Sequence, residues 1–329
     1  MTKPIRWGIL GTGAIAGELA AAINSLPDAK ITAVGSRSLS TANAFADRFN
    51  IAHRHATYAA LAADPDVDIV YVATPHVQHV ENTLLCLQAG KAVLCEKPFT
   101  INATEAERVI KLARERKLFL MEAMCTRAMP IIQEAKRLIA DGAIGEVKVM
   151  HGSFGMQTDF PTDHRLLNLA LAGGALLDVG IYPISMASYF LGTIVDVAAT
   201  ADIGSSGVDC QVAISTRHEH GRIAASYASL YATSPLDAII MGTKGRIHLQ
   251  APAFKGTRLT LIREGVESQE VHLPWTGNGY QYELMDAMQC LREGRLESSM
   301  MPLDESLSLM RTLDQIRAQI GLHYPGEQS

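Results

Sequence analysis

The sequence predicts an α/β protein, with a doubly wound parallel sheet in the N-terminal part of the chain and a C-terminal α+β domain built on an open, mostly antiparallel sheet. Strand-like and helix-like segments alternate over residues 5–123, as in a parallel sheet covered by helices on both faces. Over residues 193–273, short β-rich runs are separated by turns such as "HEHG" and "GTKG", as in antiparallel sheets. We therefore expect two domains, 1–122 and 123–329.

Local patterns define the elements of the first domain. "IRWGIL" at 5–10 is a short apolar run that ends in glycines, and "AIAGELAAAINSL" at 14–26 is rich in helix-forming residues. "STANAFADRF" at 40–49 opens with the Ser and Thr residues that often cap helices. By the same criteria we predict strands at 30–36, 68–74, 91–96 and 118–123, and helices at 76–90 and 102–117.

The sheet of the second domain is expected to pack against a partner. Its runs "VAISTR" and "IAASYASLYA" carry small or apolar residues on both faces, so that one face would stay uncovered in a single copy. We therefore expect a homodimer through this sheet. Around the sheet we predict a strand at 146–156 and helices at 130–142, near 277–293 and at 303–320.

The composition argues against several classes of function. The 329 residues are 48% hydrophobic and 19% charged, with a net charge of −5, which is ordinary for a globular protein and offers no basic patch for nucleic acid. We expect no membrane partner, because no apolar stretch approaches a membrane span, and no signal peptide before the first strand. The five scattered cysteines form no CxxC pair, so we expect reduced thiols, no metal and a cytoplasmic location.

A glycine-rich turn between the first strand and the first helix predicts a dinucleotide site. "GTGAIA" at 11–16 has the G-x-G-x-x-G/A form, in which Gly11 allows the tight turn and Gly13 lets the backbone approach a pyrophosphate. A glycine turn also occurs in any tight strand–helix connection. The prediction of a Rossmann domain therefore depends on the strand before the turn and the helix after it. The candidate cofactor residues in this turn are Gly11, Thr12, Gly13, Ala14 and Ile15.

The end of the second strand favours NADP over NAD. NAD-specific sites place an acidic residue there to bind the ribose 2′-hydroxyl. This chain has Ser36 and Arg37 instead, which offer a hydroxyl and a guanidinium to a 2′-phosphate. The alternative is that Arg37 is a solvated surface charge. We predict NADP as the cofactor, with NAD less favoured.

Two more strand ends carry polar residues at the edge where open α/β sheets bind ligands. Glu96 and Lys97 precede Pro98, and a cis Lys97–Pro98 bond would point the lysine into the cleft. A strand end that reaches solvent before a helix-initiating proline is an equal alternative. The turn "ATPHVQH" at 73–79 adds candidates that could equally be polar residues of a helix N-terminus, namely Thr74, Pro75, His76 and His79.

The run "LLDVGIYPISM" at 176–186 places polar groups in an apolar segment. Asp178 and Tyr182 are about one helical turn apart, so we expect them on one face. Gly180 would keep the backbone thin where a ligand approaches, and Pro183 would start or kink a helix. We interpret this run as a wall of the active site supplied by the second domain.

Four motifs in this order, "GILGTGAIA", "ATPHVQH", "AVLCEKPF" and "GGALLDVGIYP", resemble the NAD(P)-dependent oxidoreductases of the glucose–fructose oxidoreductase and inositol dehydrogenase family. The resemblance extends through "LFLMEAMCTRAMP" and "GTKG", and it is strongest to the branch of dimeric dihydrodiol dehydrogenase and NADP-dependent D-xylose dehydrogenase. It implies an N-terminal Rossmann domain, an enzyme that acts on CH–OH groups and a dimer through the C-terminal sheet.

The resemblance also implies roles for single residues. Lys97 would be a catalytic or positioning lysine beside the nicotinamide, Tyr182 the proton donor or acceptor, and Arg127 a residue near the cofactor. Cys125 stands where the dihydrodiol dehydrogenase branch tends to carry tryptophan, which favours sugars or small polyols over bulky aromatic substrates. The segment 155–165 is similar to the sugar-oxidising members, although a solvated loop is the alternative there. The substrate candidates are Phe154, His164, Arg165 and Tyr182.

These residues lead to a hypothesis of hydride transfer between NADP and a sugar, a polyol or a trans-dihydrodiol. Tyr182 would be the general acid–base, Lys97 would favour its phenolate form and orient the substrate hydroxyl, and Asp178 would position either group. The alternatives are a catalytically silent NADP-binding sensor or regulator on the same fold, and an anhydrofructose-type or inositol-type reductase. A metal site formed by Asp178, His79 and His164 has no supporting ligand spacing.

Overall fold

The computed structural model of the protein describes residues 3–161 and 163–327. In chain order, its strands and helices are β1 Ile5–Leu10, α1 Ala14–Asn24, β2 Ala29–Gly35, α2 Leu39–Phe49, β3 His53–His55, α3 Tyr58–Ala62, β4 Ile69–Val72, α4 His79–Gln88, β5 Ala92–Glu96, α5 Ala103–Arg116, β6 Leu120–Ala123, α6 Cys125–Ala128, α7 Pro130–Ala140, β7 Val147–Gly155, α8 Ile181–Leu191, β8 Ile194–Ile203, β9 Asp209–His218, β10 Ile223–Ser229, β11 Ala238–Gly242, β12 Gly245–Leu249, β13 Arg258–Arg263, β14 Val266–His272, α9 Gln281–Arg292 and α10 Leu303–Ile320.

The chain divides into two compact units, Met1–Cys125 with Thr276–Leu307 and Thr126–Trp275 with Ser308–Ser329. This division differs from the expected domains in the segment 276–307, which we had placed with the second domain. Two contacts group the segment with the first unit. α9 packs against α1, and the Leu120 N–H donates to the Leu296 carbonyl at 3.1 Å.

Six strands form the sheet of the first unit, in the order β3-β2-β1-β4-β5-β6. All neighbouring pairs run parallel, and every residue of β4 and β5 is buried, as expected of strands covered on both faces. The strand order reverses beside β1, and in such sheets ligands bind outside the carboxyl ends of the strands at that point. The predicted doubly wound parallel sheet is confirmed.

The helices of the first unit begin where the sequence provides polar caps. The Ser38 hydroxyl accepts the Thr41 N–H at 3.3 Å, so α2 starts after it. The Asn102 side chain accepts the Glu105 N–H at 2.9 Å, and α5 ends before Lys117, which has a left-handed φ of 53°. These caps place the two helices within one residue of their predicted bounds.

Among the short elements, β3 and α3 have no counterpart in the prediction. β3 is the sequence His-Arg-His at the edge of the sheet, and it has no apolar alternation that would indicate a strand. α3 has only five residues, and Thr57 caps it by accepting the Ala60 N–H at 3.1 Å. Both elements are too short for a helical or strand period to show in the sequence.

Eight strands form the sheet of the second unit, in the order β14-β13-β12-β11-β7-β10-β9-β8. Only the β7–β10 pair is parallel among the described pairs of this sheet, because β10 joins β7 after β8 and β9. Along β9 and β10, buried and more exposed residues alternate, which is the pattern of a sheet with one covered face. The mostly antiparallel sheet is confirmed.

The run that carries Asp178 and Tyr182 is a π-helical turn, Leu176–Gly180, continued by α8. Pro183 has no N–H to donate to the Val179 carbonyl, so the regular helical ladder changes there. We expected Gly180 to face a ligand. A Cβ at Gly180 would instead lie 3.4 Å from the Cβ of Ala228 on β10, so this glycine lets the helical segment approach the sheet.

The stretch Leu169–Leu191 is long and apolar enough to cross a membrane by length and composition. The expectation that no stretch approaches a membrane span is therefore wrong. Of its most apolar window, 78% is buried inside the protein, as in the core helix of a soluble protein. α8 within this stretch packs against β7 and β10, so its apolar character serves the core of the second unit.

Candidate active site

Two glycines shape the turn between β1 and α1. Gly11 has a φ of +107°, and a Cβ there would lie 2.6 Å from the Ala73 carbonyl oxygen, so a larger residue does not fit. Gly13 is the N-cap of α1, and no described atom lies within 4 Å of the position that its Cβ would take. The first turn of α1, with Thr12, Ala14 and Ile15 around it, therefore has room for a pyrophosphate at its N–H groups.

The end of β2 presents Arg37 to solvent. Ser36 beside it is buried, its hydroxyl lies 2.6 Å from the Thr41 hydroxyl, and its N–H donates to the His55 carbonyl at 3.1 Å. Burial raises the pKa of Tyr58, and the nearby charge of Arg37 acts in the opposite direction. An exposed guanidinium on a backbone fixed in this way suits the predicted binding of a 2′-phosphate.

His79 connects two loops at the carboxyl edge of the sheet. It is fully buried, and its Nδ1 and Nε2 each lie 2.8 Å from a carbonyl oxygen, that of Pro98 and that of Thr74 respectively. Burial lowers the pKa of His79, although the carbonyl contacts oppose this shift. These contacts let His79 hold the two loops together, and its predicted contact with the cofactor stays a prediction. The His76 ring, 5.7 Å from that of His79, belongs to the same loop.

Glu96 ends β5 at the same edge, and Lys97 follows it. The Lys97–Pro98 peptide bond is cis. The buried Glu96 carboxylate accepts a short hydrogen bond from the Tyr71 hydroxyl and a second one, at 3.1 Å, from the Lys97 N–H. The half-buried Lys97 therefore extends from a backbone that Tyr71 and Glu96 hold in place.

Sequence reasoning missed two tyrosines near Glu96. Burial raises the pKa of Tyr71 well above its usual value, and the Glu96 charge adds to this effect. Burial is also the main cause of the raised pKa of Tyr280, and the nearby Cys125, Glu96 and Glu283 raise it further. Both phenols are therefore hydrogen-bond donors at neutral pH. Tyr71 lies inside a predicted buried strand, where a phenol between two valines ("VYV") is the one signal that could have indicated it. Tyr280 lies far along the chain, and no sequence pattern connects it to Glu96.

An aromatic cluster surrounds Tyr182 in the second unit. The Phe154 ring stacks on the Tyr182 ring with centroids 5.3 Å apart, and the Phe254 ring lies 4.5 Å from Phe154 and 5.4 Å from Tyr182. All three side chains are half-buried. The structure thus brings together two predicted substrate residues and adds Phe254, which the sequence did not indicate. Partly exposed stacked rings can receive an apolar ligand face.

Asp178 and Arg165 form an ion pair. Arg165 Nη1 lies 2.9 Å from Asp178 Oδ1, with the aspartate side chain 6% exposed and the arginine side chain 53% exposed. His164 instead stacks on Phe160 at 3.8 Å between centroids and accepts the Leu166 N–H through Nδ1 at 3.3 Å. The predicted substrate residues of this loop therefore divide between one that contacts Asp178 and one that shapes the loop.

Arg127 is buried against α8. Its Nε donates to the Ser185 hydroxyl and its Nη2 to the Ser185 carbonyl, both at 3.0 Å, and its guanidinium carbon lies 5.1 Å from the centre of the Tyr189 ring. These contacts give Arg127 a role in holding α8, the helix that carries Tyr182. Its predicted place near the cofactor stays a prediction.

The glycine turn, the exposed arginine after β2 and the parallel sheet define a dinucleotide-binding protein of the Rossmann class. Residues 5–124 match the model of an oxidoreductase family with an NAD-binding Rossmann fold, and residues 132–248 match the GFO/IDH/MocA C-terminal domain. The chain belongs to the GFO/IDH/MocA family of oxidoreductases. The predicted family and the predicted class of enzyme are confirmed.

Similar proteins cover nearly the whole chain. The trans-1,2-dihydrobenzene-1,2-diol dehydrogenase of Mus musculus is 35% identical over 98% of this chain and 99% of its own length. The D-xylose 1-dehydrogenase (NADP(+)) of Hypocrea jecorina is 36% identical over 98% of this chain and 93% of its own length. The structure of a 3-ketoreductase from Actinomadura kijaniata, in complex with NADP and TDP-benzene, is 28% identical with a TM-score of 0.87, covering 97% of this chain and 98% of that one. The first two relatives match the predicted branch.

Proposed function

We propose that this protein is an NADP-dependent oxidoreductase that transfers a hydride between the nicotinamide and a CH–OH carbon of a sugar, a polyol or a trans-dihydrodiol. The observation that carries the proposal is the similarity over 98% of the chain to two dehydrogenases of this chemistry, at 35% and 36% identity. The site supports it, because a dinucleotide turn and a phenol in an aromatic cluster are both present.

The residues of the first unit fit NADP. The turn at Gly11 and Gly13 would hold the pyrophosphate, and Arg37 with Ser36 would bind the 2′-phosphate. Lys97 would lie beside the nicotinamide, because it directly follows β5 at the carboxyl edge of the sheet. Bound NADP supplies or accepts the hydride, and the protein's part is to bind, orient and move a proton.

Tyr182 would exchange that proton. In the oxidation direction its oxygen takes the proton of the substrate hydroxyl, and in the reduction direction its hydroxyl returns it to the carbonyl oxygen. The ion pair of Asp178 with Arg165 would orient a substrate hydroxyl, since Asp178 precedes Tyr182 by about one helical turn. Lys97 would stabilise negative charge on the reacting oxygen.

The aromatic cluster favours a sugar as the substrate. The rings of Phe154 and Phe254 offer an apolar surface on which the C–H face of a pyranose can stack, while Asp178 and Arg165 offer polar partners for its hydroxyls. Cys125, in place of the tryptophan expected of the dihydrodiol branch, points the same way. D-Xylose is therefore the first substrate to test.

The test is a spectrophotometric screen of NADP+ and NAD+ against aldoses, polyols and trans-dihydrodiols, with dicarbonyls and NADPH in the reverse direction. We expect turnover of an aldose with NADP+, and a loss of at least about 100-fold in kcat for Tyr182→Phe at unchanged NADP+ affinity. Tyr282→Phe, at a half-buried tyrosine of α9, is the matched control and should keep full activity. Tight NADP binding with no turnover of any substrate would favour the silent sensor instead.

The cofactor preference is tested at Arg37. Loss of a charged hydrogen bond to a 2′-phosphate costs about 1.5–3 kcal/mol, so Arg37→Ala should raise the KM for NADP+ about 10-fold to 100-fold and leave that for NAD+ nearly unchanged. Arg108→Ala removes an arginine whose partner is Glu81 on α4, and it should change neither value. An equal effect of Arg37→Ala on both cofactors would contradict the assignment.

We further propose a homodimer through the sheet of the second unit and a cytoplasmic location. The face of β9 and β10 that lies away from α8 includes exposed positions, among them Ile223 at 47%. Five free, buried cysteines fit a reducing compartment. Sedimentation equilibrium at micromolar concentration should give twice the chain mass, and Ile223→Lys should shift it toward the monomer. A wild-type monomer would refute the dimer, and cell fractionation tests the location.

A further inference from the structure

Three potential metal ligands converge at the edge strand β3. His53 and His55 alternate along the strand, so their side chains lie on the same side of it, and Asp64 follows α3. Asp64 Oδ2 lies 2.7 Å from His53 Nδ1 and 2.8 Å from His55 Nε2. The three donor atoms all lie within 4.8 Å of one another. One carboxylate oxygen thus faces two imidazole nitrogens at once.

The aspartate of this cluster is firmly placed. Its side chain is 3% exposed, and its second oxygen accepts the Asp66 N–H at 2.9 Å. The Lys91 ammonium group donates to the carbonyls of Asp64 and Val67, at 2.6 and 2.8 Å, which holds the loop at both ends. Ligands oriented by hydrogen bonds to a second layer of groups are the usual construction of a protein metal site.

The imidazoles, by contrast, have freedom to adjust. The His53 side chain is 41% exposed and that of His55 is 23% exposed. In a tetrahedral zinc site with bonds of about 2.0–2.1 Å, neighbouring donor atoms lie about 3.3 Å apart. The two histidine–aspartate distances therefore need to lengthen by about half an ångström each, which small rotations of the two rings supply.

We propose that His53, His55 and Asp64 bind one Zn²⁺ ion, with water completing the coordination. Two imidazoles and one carboxylate are a donor set that suits Zn²⁺ and the neighbouring divalent transition metals, whereas Mg²⁺ and Ca²⁺ prefer oxygen ligands alone. The site is distinct from the residues assigned to NADP and to the substrate. It differs from the sequence-based expectation of no metal, which considered only the cysteines and the set of Asp178, His79 and His164.

The position of the site gives the ion a structural role. β3 is a three-residue edge strand, and the His55 carbonyl accepts the Ser36 N–H at 3.1 Å, next to Arg37. A metal that joins β3 to the loop at Asp64 would stabilise this edge of the sheet. It would also restrain the end of β2. Zn²⁺ is therefore expected to raise the thermal stability of the first unit.

The test is metal binding by the full-length protein after removal of metal with a chelator, in a buffer that does not coordinate metals. Calorimetric titration with Zn²⁺ should show one ion per chain. Co²⁺ as a spectroscopic probe should give visible d–d absorption bands of a site with nitrogen and oxygen ligands. His53→Ala and Asp64→Asn should each weaken Zn²⁺ binding by at least 100-fold, more than the 10-fold to 100-fold that loss of an orienting group costs.

The matched control is His248→Ala. His248 Nε2 lies 2.7 Å from Asp237 Oδ2, so this position has one histidine–aspartate pair and should leave Zn²⁺ binding unchanged. The Co²⁺ spectrum and the stoichiometry of the wild-type protein decide the question even if a variant fails to fold, and His55→Gln is a further variant that keeps the size of the side chain. Fewer than about 0.1 ions per chain, or equal binding by wild type and folded His53→Ala, would overturn the proposal.

Discussion

Replacement of Asp209 by asparagine should remove a pH dependence from the stability of the second unit. Asp209 is fully buried at the start of β9, where its Oδ2 accepts the Leu176 N–H at 2.6 Å. Its Oδ1 has no hydrogen-bond partner among the described residues. Burial raises the pKa of Asp209 to about 7, although the Leu176 N–H, its own N–H and Arg317 oppose this shift. The folded protein therefore holds a proton that the unfolded chain has lost.

The sign follows from the two pKa values. An unfolded aspartate titrates near 3.8, so the extra stability from Asp209 is fully present below that pH and is lost as the pH rises to about 7. Each pKa unit corresponds to about 1.4 kcal/mol, which gives a total loss of about 4 kcal/mol. Of this amount, about 2.5 kcal/mol falls between pH 5 and pH 8. Asparagine keeps the shape and one acceptor oxygen but does not titrate.

Urea unfolding from pH 5 to pH 8 measures the effect. Trp275 is the only tryptophan of the second unit, and Trp7 is that of the first, so a Trp7→Phe background lets fluorescence follow the second unit alone. Between pH 5 and pH 8, the free energy of unfolding of the parent should fall by about 2.5 kcal/mol relative to Asp209→Asn. Asp196→Asn, at an exposed aspartate of β8, is the control and should change nothing in this range.

The free energies of unfolding of the parent and of Asp209→Asn could instead change with pH in parallel, within about 0.5 kcal/mol. That result would refute a raised pKa of the Asp209 carboxyl group.

Four further substitutions test the site. Gly11→Ala should lower the Tm, because its Cβ would lie 2.6 Å from the Ala73 carbonyl oxygen. Gly13→Ala should leave the Tm unchanged, because its Cβ meets no described atom within 4 Å. That Cβ enters the space proposed for the pyrophosphate, so the variant should bind NADPH at least about 10-fold more weakly in a fluorescence titration. Tyr71→Phe removes the buried donor to Glu96 and should lower the unfolding free energy of the first unit in urea by about 1–3 kcal/mol. Phe254→Ala should raise the KM for the sugar about 3-fold to 10-fold with little change in kcat, since it removes one ring of the stack. Equal NADPH binding by Gly13→Ala and wild type would contradict the proposed place of the pyrophosphate. An unchanged unfolding free energy in Tyr71→Phe would contradict the stabilising bond to Glu96, and an unchanged KM in Phe254→Ala would contradict stacking of the sugar on this ring.

The long elements could be predicted because they bury apolar residues with a regular period. β1 and α10 agree with their predicted bounds, and α5 agrees to within one residue at each end. β3 could not be predicted, since it pairs through its backbone at the sheet edge and has only polar side chains. The segment 276–307 shows a different limit. Its helix α9 has a clear pattern, but the surface that it packs against, α1, is set by tertiary structure.

The same distinction holds within the candidate site. Gly11, Arg37 and Lys97 could be singled out because each lies within two residues of a strand end, and the ends of parallel strands meet at one edge. Tyr182 and Asp178 stood out as polar groups in an apolar run. The groups that hold these residues did not stand out, because Tyr71 and Phe254 look like ordinary core residues until their partners, Glu96 and the Tyr182 ring, are seen beside them.

The buried polar groups of the site follow one physical rule. A carboxylate or an imidazole removed from water is costly unless hydrogen bonds compensate for the lost hydration. Glu96 accepts bonds from Tyr71 and from the Lys97 N–H, and both nitrogens of His79 face backbone carbonyls. These pairings fix the strand-end loops and leave Lys97 half-buried. The proposed role of Lys97 therefore depends on the same pairings that stabilise the loops, and a substitution that spares Lys97 but breaks one of these pairs should lower both the stability and the activity.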